Sequence, residues 1–239
     1  DKTSKDIERI VSPYLIQPSS TFGVDDGTAN YAGVCWADEL AEATGDRKYL
    51  QLIELAAQRF GPTLNEGPLD PDLRVEDIFF ASTVLGRAFR STGKTKYVDL
   101  LTEFLESFTT LQSNNLWWHC KTSPYFWGRG NAFAALGFAE AMTYIPINHP
   151  SRSTLMRTHL RHLEGLATHQ DESGMWRQVI DRPETYLEHS ATSMIGCSIA
   201  RGIRRHWLSD AWWPTVERAW DAVSQRIGED GSVNQVCIG

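Results

Sequence analysis

No run of 18 or more apolar residues interrupts this chain of 239 residues, so nothing in it has the length of a membrane-spanning helix. The N-terminal stretch "DKTSKDIERI" has neither the apolar segment nor the cleavage site of a signal peptide, and with no initiator Met the chain is expected to be a trimmed or processed form. Positive charge is the scarcer sign, 23 Lys and Arg against 30 Asp and Glu, for a formal net charge of −7. That balance argues against a nucleic-acid partner, which needs clustered cations. The nearest basic cluster, "RGIRRHW" (201–207), reads as a solvated helix end. The four cysteines, Cys35, Cys120, Cys197 and Cys237, lie far apart without a CxxC pair, which removes the usual zinc motifs; no metal or other cofactor is expected. Compartment and oligomeric state stay open.

Strand-like alternation is scarce too, and helical periodicity takes its place. Tyr97, Leu100, Leu101, Phe104, Leu105, Phe108 and Leu111 recur at steps of three and four, the pattern of an amphipathic helix with one buried stripe. Residues 47–60 and 151–169 read the same way. A second kind of segment alternates with these: "DIFFASTVLGRAF" (77–89), "NAFAALGFAEAM" (131–142) and "SATSMIGCSIARGI" (190–203) are apolar or small nearly all round. Helices of that composition are enclosed on every side. The stretch "YAGVCWADELAEA" (31–43) is placed with them.

Two further repetitions follow the alternation. "ATGDRKYL" (43–50) recurs as "STGKTKYV" (91–98), each with Gly at the expected C-cap. "LQSNNLWWHC", "HQDESGMWRQV" and "IGEDGSVNQV" each follow an amphipathic helix at nearly equal spacing. A repeated α-hairpin of roughly fifty to sixty residues belongs to a solenoid or a closed toroid. The expectation is a single all-α domain over residues 1–239, an α/α toroid with an inner and an outer ring.

If the inner helices all run one way, their N-termini and the loops before them collect at one mouth, where unpaired N–H groups favour anions. The residues at those positions are unusual for loops: Asn30 and Tyr31; Glu76 and Asp77; Trp117, Trp118, His119, Tyr125, Trp127 and Arg129; then Trp176, Arg177, Gln178, Tyr186, Glu188, His189 and Ser190. Indole faces suit the apolar face of a pyranose, and Arg binds a carboxylate through two parallel hydrogen bonds. The set describes a pocket for an acidic sugar. Each member also has a plainer reading: Asp77 as a first-turn helix residue, His119 and His189 as surface or satisfied core imidazoles, Trp117 and Trp118 as core. His149, His159, His162, His169 and His206 receive no role. "GRG" (128–130) is not a phosphate loop, since no strand precedes it and no Lys-Ser/Thr follows.

The ordered motifs "EDIFFA", "LWWH", "SPYFWGRGNAFAALGFAEAMTYIP", "HQDESGMWRQVIDRP" and "YLEHSATSM" resemble the unsaturated rhamnogalacturonyl hydrolases of glycoside hydrolase family 105, relatives of the family 88 unsaturated glucuronyl hydrolases, over roughly residues 28–239. The resemblance implies an (α/α)6 barrel, incomplete here because eight or nine helices are counted against twelve. It also implies a small oligosaccharide substrate ending in a 4,5-unsaturated uronic acid, hydrated at its C4=C5 bond. By that resemblance Asp77 is a catalytic carboxylate, with His119 and His189 beside it. Substrate binding falls to Trp127, Arg129, Trp176, Arg177, Gln178 and Glu188, and from the rim reading to Tyr31 and Trp118. A proton-donating Asp77 needs burial to outweigh the helix N-terminus, which favours the ionised form. One departure stands out: the family's loop after the histidine is longer and carries an Asp, whereas Cys120, Lys121 and Thr122 alone separate His119 from Ser123. A non-catalytic acidic-sugar binder and a saturated β-glucuronidase on the same scaffold therefore stay open beside the hydrolase.

Overall fold

The computed structural model describes residues 2–18, 21–23 and 26–237. Its helices are α1 (Lys2–Val11), α2 (Thr28–Ala32), α3 (Ala37–Thr44), α4 (Leu50–Gln58), α5 (Asp77–Thr92), α6 (Thr95–Ser107), α7 (Gly128–Tyr144), α8 (Arg152–Ala167), α9 (His189–Arg204) and α10 (Trp213–Ser224). Four short strands make two antiparallel ladders: β1 (Gln112–Ser113) with β2 (Leu116–Trp117), and β3 (Trp176–Arg177) with β4 (Leu187–Glu188). Among the described residues, no helix is long and apolar enough to cross a membrane.

Inner and outer layers separate by composition as expected. α7 buries Ala132, Ala134, Ala135, Gly137, Phe138, Ala139 and Ala141 on all sides, whereas α10 buries only Ala219, Ala222 and Val223. α5 packs on α7 and α7 on α9, with α6, α8 and α10 outside them. The stretch 31–43 departs from the single helix expected of it. After Gly33, a poor helix former, the bonds tighten to three-residue turns, as in Cys35 N–H to Ala32 O at 3.0 Å and Ala37 N–H to Val34 O at 2.9 Å. The segment splits into α2 and α3.

Direction can be read from register. A Cβ on Gly137 would stand 2.6 Å from Phe79 N, and one on Gly86 2.3 Å from Tyr144 Cδ2, so positions 79 and 86 of α5 meet 137 and 144 of α7 in the same order. Ser198 donates to Ala135 O at 2.8 Å, and Arg201 pairs with Glu140 at 2.5 Å, which sets α9 parallel to α7. Thr28 meets Asp77 while Asp38 meets Arg87, which sets α2 and α3 parallel to α5. The inner helices thus run one way, and their N-termini share one end.

Both repetitions mark turns. Gly45 (φ 73°) and Gly93 (φ 69°) end α3 and α5 in the left-handed region, their N–H groups bonded to Ala41 O and Phe89 O. In the second set, Asn114 (φ 52°) and Asn115 (φ 60°) turn β1 into β2, and Gly231 (φ 80°) serves the bridge between Ile227 and Val233.

At the far end of the inner ring lies a buried charge network. Arg87, 9% exposed, bonds Asp38 through Nε at 3.2 Å and Glu140 through a terminal nitrogen; Arg201 takes Glu140's other oxygen, and Arg90 takes Asp38's. Burial pushes the Glu140 carboxyl up, but Arg87 and Arg201 overcome it and hold the group below its ordinary range.

Candidate active site

At the mouth, Asp77 opens α5 and is 4% exposed. Its carboxylate accepts from the Thr28 hydroxyl at the start of α2 and from Asp70 N–H at 3.0 Å. Burial pushes it up to about 6; the two hydrogen bonds pull the other way, and the neighbouring Glu76 and Asp70 charges add to the rise. Burial therefore outweighs the two hydrogen bonds. A cleft of about 620 Å³ opens over the group, walled by residues 26–29 and 67–71 with Arg74, Glu76 and Phe80.

A continuous rim leads away from Asp77. Glu76 Oε1 lies 3.5 Å from His119 Nε2, while Glu76 Oε2 is buried without a hydrogen-bond partner among the described residues. The His119 ring meets Trp127 edge-on at 5.1 Å, and the Arg129 guanidinium lies over the Trp127 ring at 4.9 Å. Backbone bonds hold this order: Val75 N–H to His119 O at 2.9 Å, and His119 N–H to Tyr125 O at 2.9 Å. Trp118, half-buried, packs against the core beside fully buried Trp117.

The "GRG" stretch owes its glycines to close approach. A Cβ on Gly128 would sit 2.2 Å from Arg177 O, and one on Gly130 2.8 Å from the Trp127 ring. Gly128 N–H reaches Gln178 O at 2.7 Å, so the start of α7 is pressed against the segment after β3. The short link after His119 is tied down by Asp72, whose backbone oxygen takes Lys121 N–H and whose carboxylate takes Thr122 N–H, each at 3.0 Å, and the Thr122 hydroxyl. No carboxylate stands in the link itself.

Several expected site residues are elsewhere or otherwise engaged. Tyr31 is 2% exposed, lodged between Phe22 (5.1 Å) and Phe60 (6.2 Å), and is core. Trp176 is fully buried, with its indole N–H given to Leu166 O at 2.7 Å, so it offers no face to a sugar. Arg177 spends its guanidinium on Asp171 at 2.5 Å and Thr185 O at 2.8 Å, whereas Arg129 lies on the rim over Trp127. Glu188, fully buried, caps α9 by accepting from Ala191 N–H, from the Ser190 hydroxyl at 2.7 Å and from Cys237 N–H at 2.8 Å. Gln178 Nε2 reaches Cys237 Sγ at 3.2 Å. His189, 7% exposed, starts α9, and burial pushes its imidazole below the ordinary range, toward the neutral form. The C-terminal segment overlies this second group, since Arg129 also donates to Cys237 O and His189 N–H to Gln235 O at 2.8 Å.

Thr28 and Asp70 escaped the sequence reading. Thr28 lies 49 positions from Asp77 and has no local signature beyond following Gly27 at a helix start.

The family model described as Glycosyl Hydrolase Family 88 matches residues 75–239. Among curated relatives, the unsaturated rhamnogalacturonyl hydrolase YesR of Bacillus subtilis (strain 168) is 26% identical over 224 residues, covering 84% of this chain and 63% of that protein. An unsaturated 3S-rhamnoglycuronyl hydrolase of Alteromonas sp. (strain LOR) is 32% identical over 116 residues, 47% of this chain and 28% of the relative. Among solved structures, a possible family 105 member from Salmonella enterica superposes with a TM-score of 0.83 at 22% identity, covering 100% of this chain and 69% of the other. The unsaturated glucuronyl hydrolase of Bacillus sp. GL1 gives 0.70 at 16% identity, covering 91% and 66%. The chain thus spans about 63% of the length of YesR, and the structural likenesses carry the helical toroid fold.

Proposed function

The chain belongs to Glycosyl Hydrolase Family 88, and from that premise we propose that it removes a 4,5-unsaturated uronic acid from the non-reducing end of lyase-generated oligosaccharides by hydrating the C4=C5 bond. The observation that carries this reading is Asp77: a carboxyl at the mouth, bonded to Thr28 and Asp70 N–H and to no cation among the described residues, whose burial pushes it up to about 6. Such a group is protonated often enough in mildly acidic solution to act as a general acid. In the proposed step Asp77 gives its proton to C4 while a water oxygen bonds to C5. The carboxylate so formed takes a proton from that water, which restores the acid. The product is a hemiketal at C5; its ring opens to a C5 ketone and leaves a hemiacetal at C1, whose collapse to an aldehyde breaks the C1–oxygen bond and releases the rest of the oligosaccharide as an alcohol, without attack at the anomeric carbon. Trp127 supplies a ring face, and Arg129, with donors left over after its bond to Cys237 O, meets the uronate carboxylate.

A second reading has its own observation. The link of Cys120, Lys121 and Thr122 holds no carboxylate, and the nearby Asp72 carboxylate is occupied by Thr122. A relative that binds acidic sugars without turning them over would look like this. One experiment separates the two: an unsaturated disaccharide from lyase digestion is added, and the ultraviolet absorbance of its double bond is followed. Decay of the absorbance that Asp77→Asn abolishes supports the hydrolase; calorimetric binding without decay supports the binder. Release of glucuronate from a saturated glycoside, with the unsaturated one untouched, would overturn both.

A further inference from the structure

Asn131 lies one turn into α7, fully buried, and uses every hydrogen-bonding valence of its amide. Its Oδ1 accepts from Trp117 N–H at 2.9 Å and stands 3.2 Å from His162 Nε2. Its Nδ2 donates to Trp117 O and Trp127 O, each at 3.0 Å. The amide can sit only one way round. Turned over, it would set NH₂ against the Trp117 N–H and an oxygen against two carbonyls.

That orientation also fixes the proton on His162. Facing an acceptor oxygen, Nε2 must carry the hydrogen, which makes His162 a donor on the neutral ring. The imidazole is fully buried in α8, edge-on to the Trp117 ring at 6.0 Å. Burial and the neighbouring His159 hold it well below its ordinary range, so the neutral form persists.

The two backbone positions that Asn131 joins are the ends of one loop. Trp117 closes β2 two residues before His119, and Trp127 precedes the first residue of α7. Between them run Trp118, His119, the short link and Tyr125. We infer that Asn131 is a positioning residue for the rim: by bonding Trp117 and Trp127 with one amide it sets where His119 and Trp127 stand beside Asp77, and His162 holds that amide in register. The inference rests on the proposed hydrolase reading for its effect on turnover, but not for its effect on the loop.

Asn131→Asp tests it with almost no change of shape, because the new oxygen faces two carbonyls instead of donating to them. Hydrogen exchange should show the amides of Trp117, His119 and Trp127 losing about tenfold or more of their protection while the middle of α7 keeps its own. With unsaturated disaccharide, kcat should fall about 10²-fold and KM by much less, as expected when reacting groups are displaced rather than removed. His162→Gln, whose amide NH₂ can reach the same oxygen, should keep both loop protection and kcat within about threefold of the parent. His162→Phe, which only fills space, should loosen the loop. Unchanged protection at residues 117–127 in Asn131→Asp would overturn the inference. So would equal behaviour of His162→Gln and His162→Phe, or a loss of protection spread evenly over α5, α7 and α8, any of which would leave an ordinary core role. If the parent protein turns nothing over, the exchange arm still decides the matter, and the failure belongs to the hydrolase reading.

Discussion

The two ends of the inner ring both bury carboxylates, and they treat them in opposite ways. At the far end, Asp38 and Glu140 share Arg87, with Arg90 and Arg201 closing the network, and Glu140 is held below its ordinary range. At the mouth, Asp77 receives two neutral donors and no cation, and it is pushed up to about 6. Burial is common to both; the presence of a guanidinium decides the sign. The far end is a clamp between neighbouring helices, and the mouth keeps a carboxyl poised to hold a proton.

The largest way to break this contrast is to take the cation from the clamp. Arg87→Met should leave one oxygen of Asp38 and one of Glu140 buried without their shared cation, with Arg90 and Arg201 still on the other oxygens, and cost about 3 kcal/mol of stability, measured by urea denaturation at neutral pH. Next, Asp77→Asn should lower turnover of an unsaturated disaccharide by at least about 10²-fold. It should not lower stability, because an amide can donate to the Thr28 oxygen while still accepting from Asp70 N–H. Third, the ends should respond to pH with opposite slopes. The folded protein holds a proton on Asp77 between the unfolded value of 3.8 and about 6. Its contribution to stability therefore falls as pH rises through that window and is flat in Asp77→Asn. Glu140, held low, contributes fully above its unfolded value and loses that contribution as pH falls. Comparing denaturation midpoints of Asp77→Asn, Glu140→Gln and the parent from about pH 3 to 7 checks both signs. Turnover that depends on protonated Asp77 should likewise decline above about pH 6. The smallest effect is expected from Arg90→Ala, whose side chain is 49% exposed; less than about 1 kcal/mol should be lost.

Much of the architecture was legible because it rests on local pattern. All-round apolar segments marked α5, α7 and α9, and repeated Gly positions marked the left-handed ends of α3 and α5. The break at Gly33 was missed, since a short run of favourable residues reads as continuous when the tightening of its turns is invisible. At the mouth, Asp77, His119, Trp127 and Arg129 are grouped by the sequence pattern, and the structure brings them side by side. Tyr31, Trp176, Arg177 and Glu188 are engaged otherwise for one reason: the side chain that makes a sugar platform or a carboxylate clamp also makes a core ring, an internal ion pair or a helix cap. Which of these it becomes depends on partners such as Phe60, Leu166, Asp171 and Ala191, found only once the chain is folded. Thr28 and His162 were missed for the complementary reason, since each acts on a residue far away in sequence.

The meeting of Gly137 with the backbone of Phe79 works like a key in a shaft. With no Cβ between them, α5 and α7 touch main chain to main chain, in the first turn of α5 and between two and three turns into α7, and neither can slide along the other without a collision. The height of Asp77 relative to α7 is therefore set by a helix-to-helix contact two residues from that carboxyl, beside what the loop bonds at the mouth do for Trp127. Loops on that rim are free to lengthen or shorten around a fixed carboxyl, while Gly137→Ala, pressing on the backbone of Ile78 and Phe79 just behind Asp77, would act as a shim and move the two walls apart.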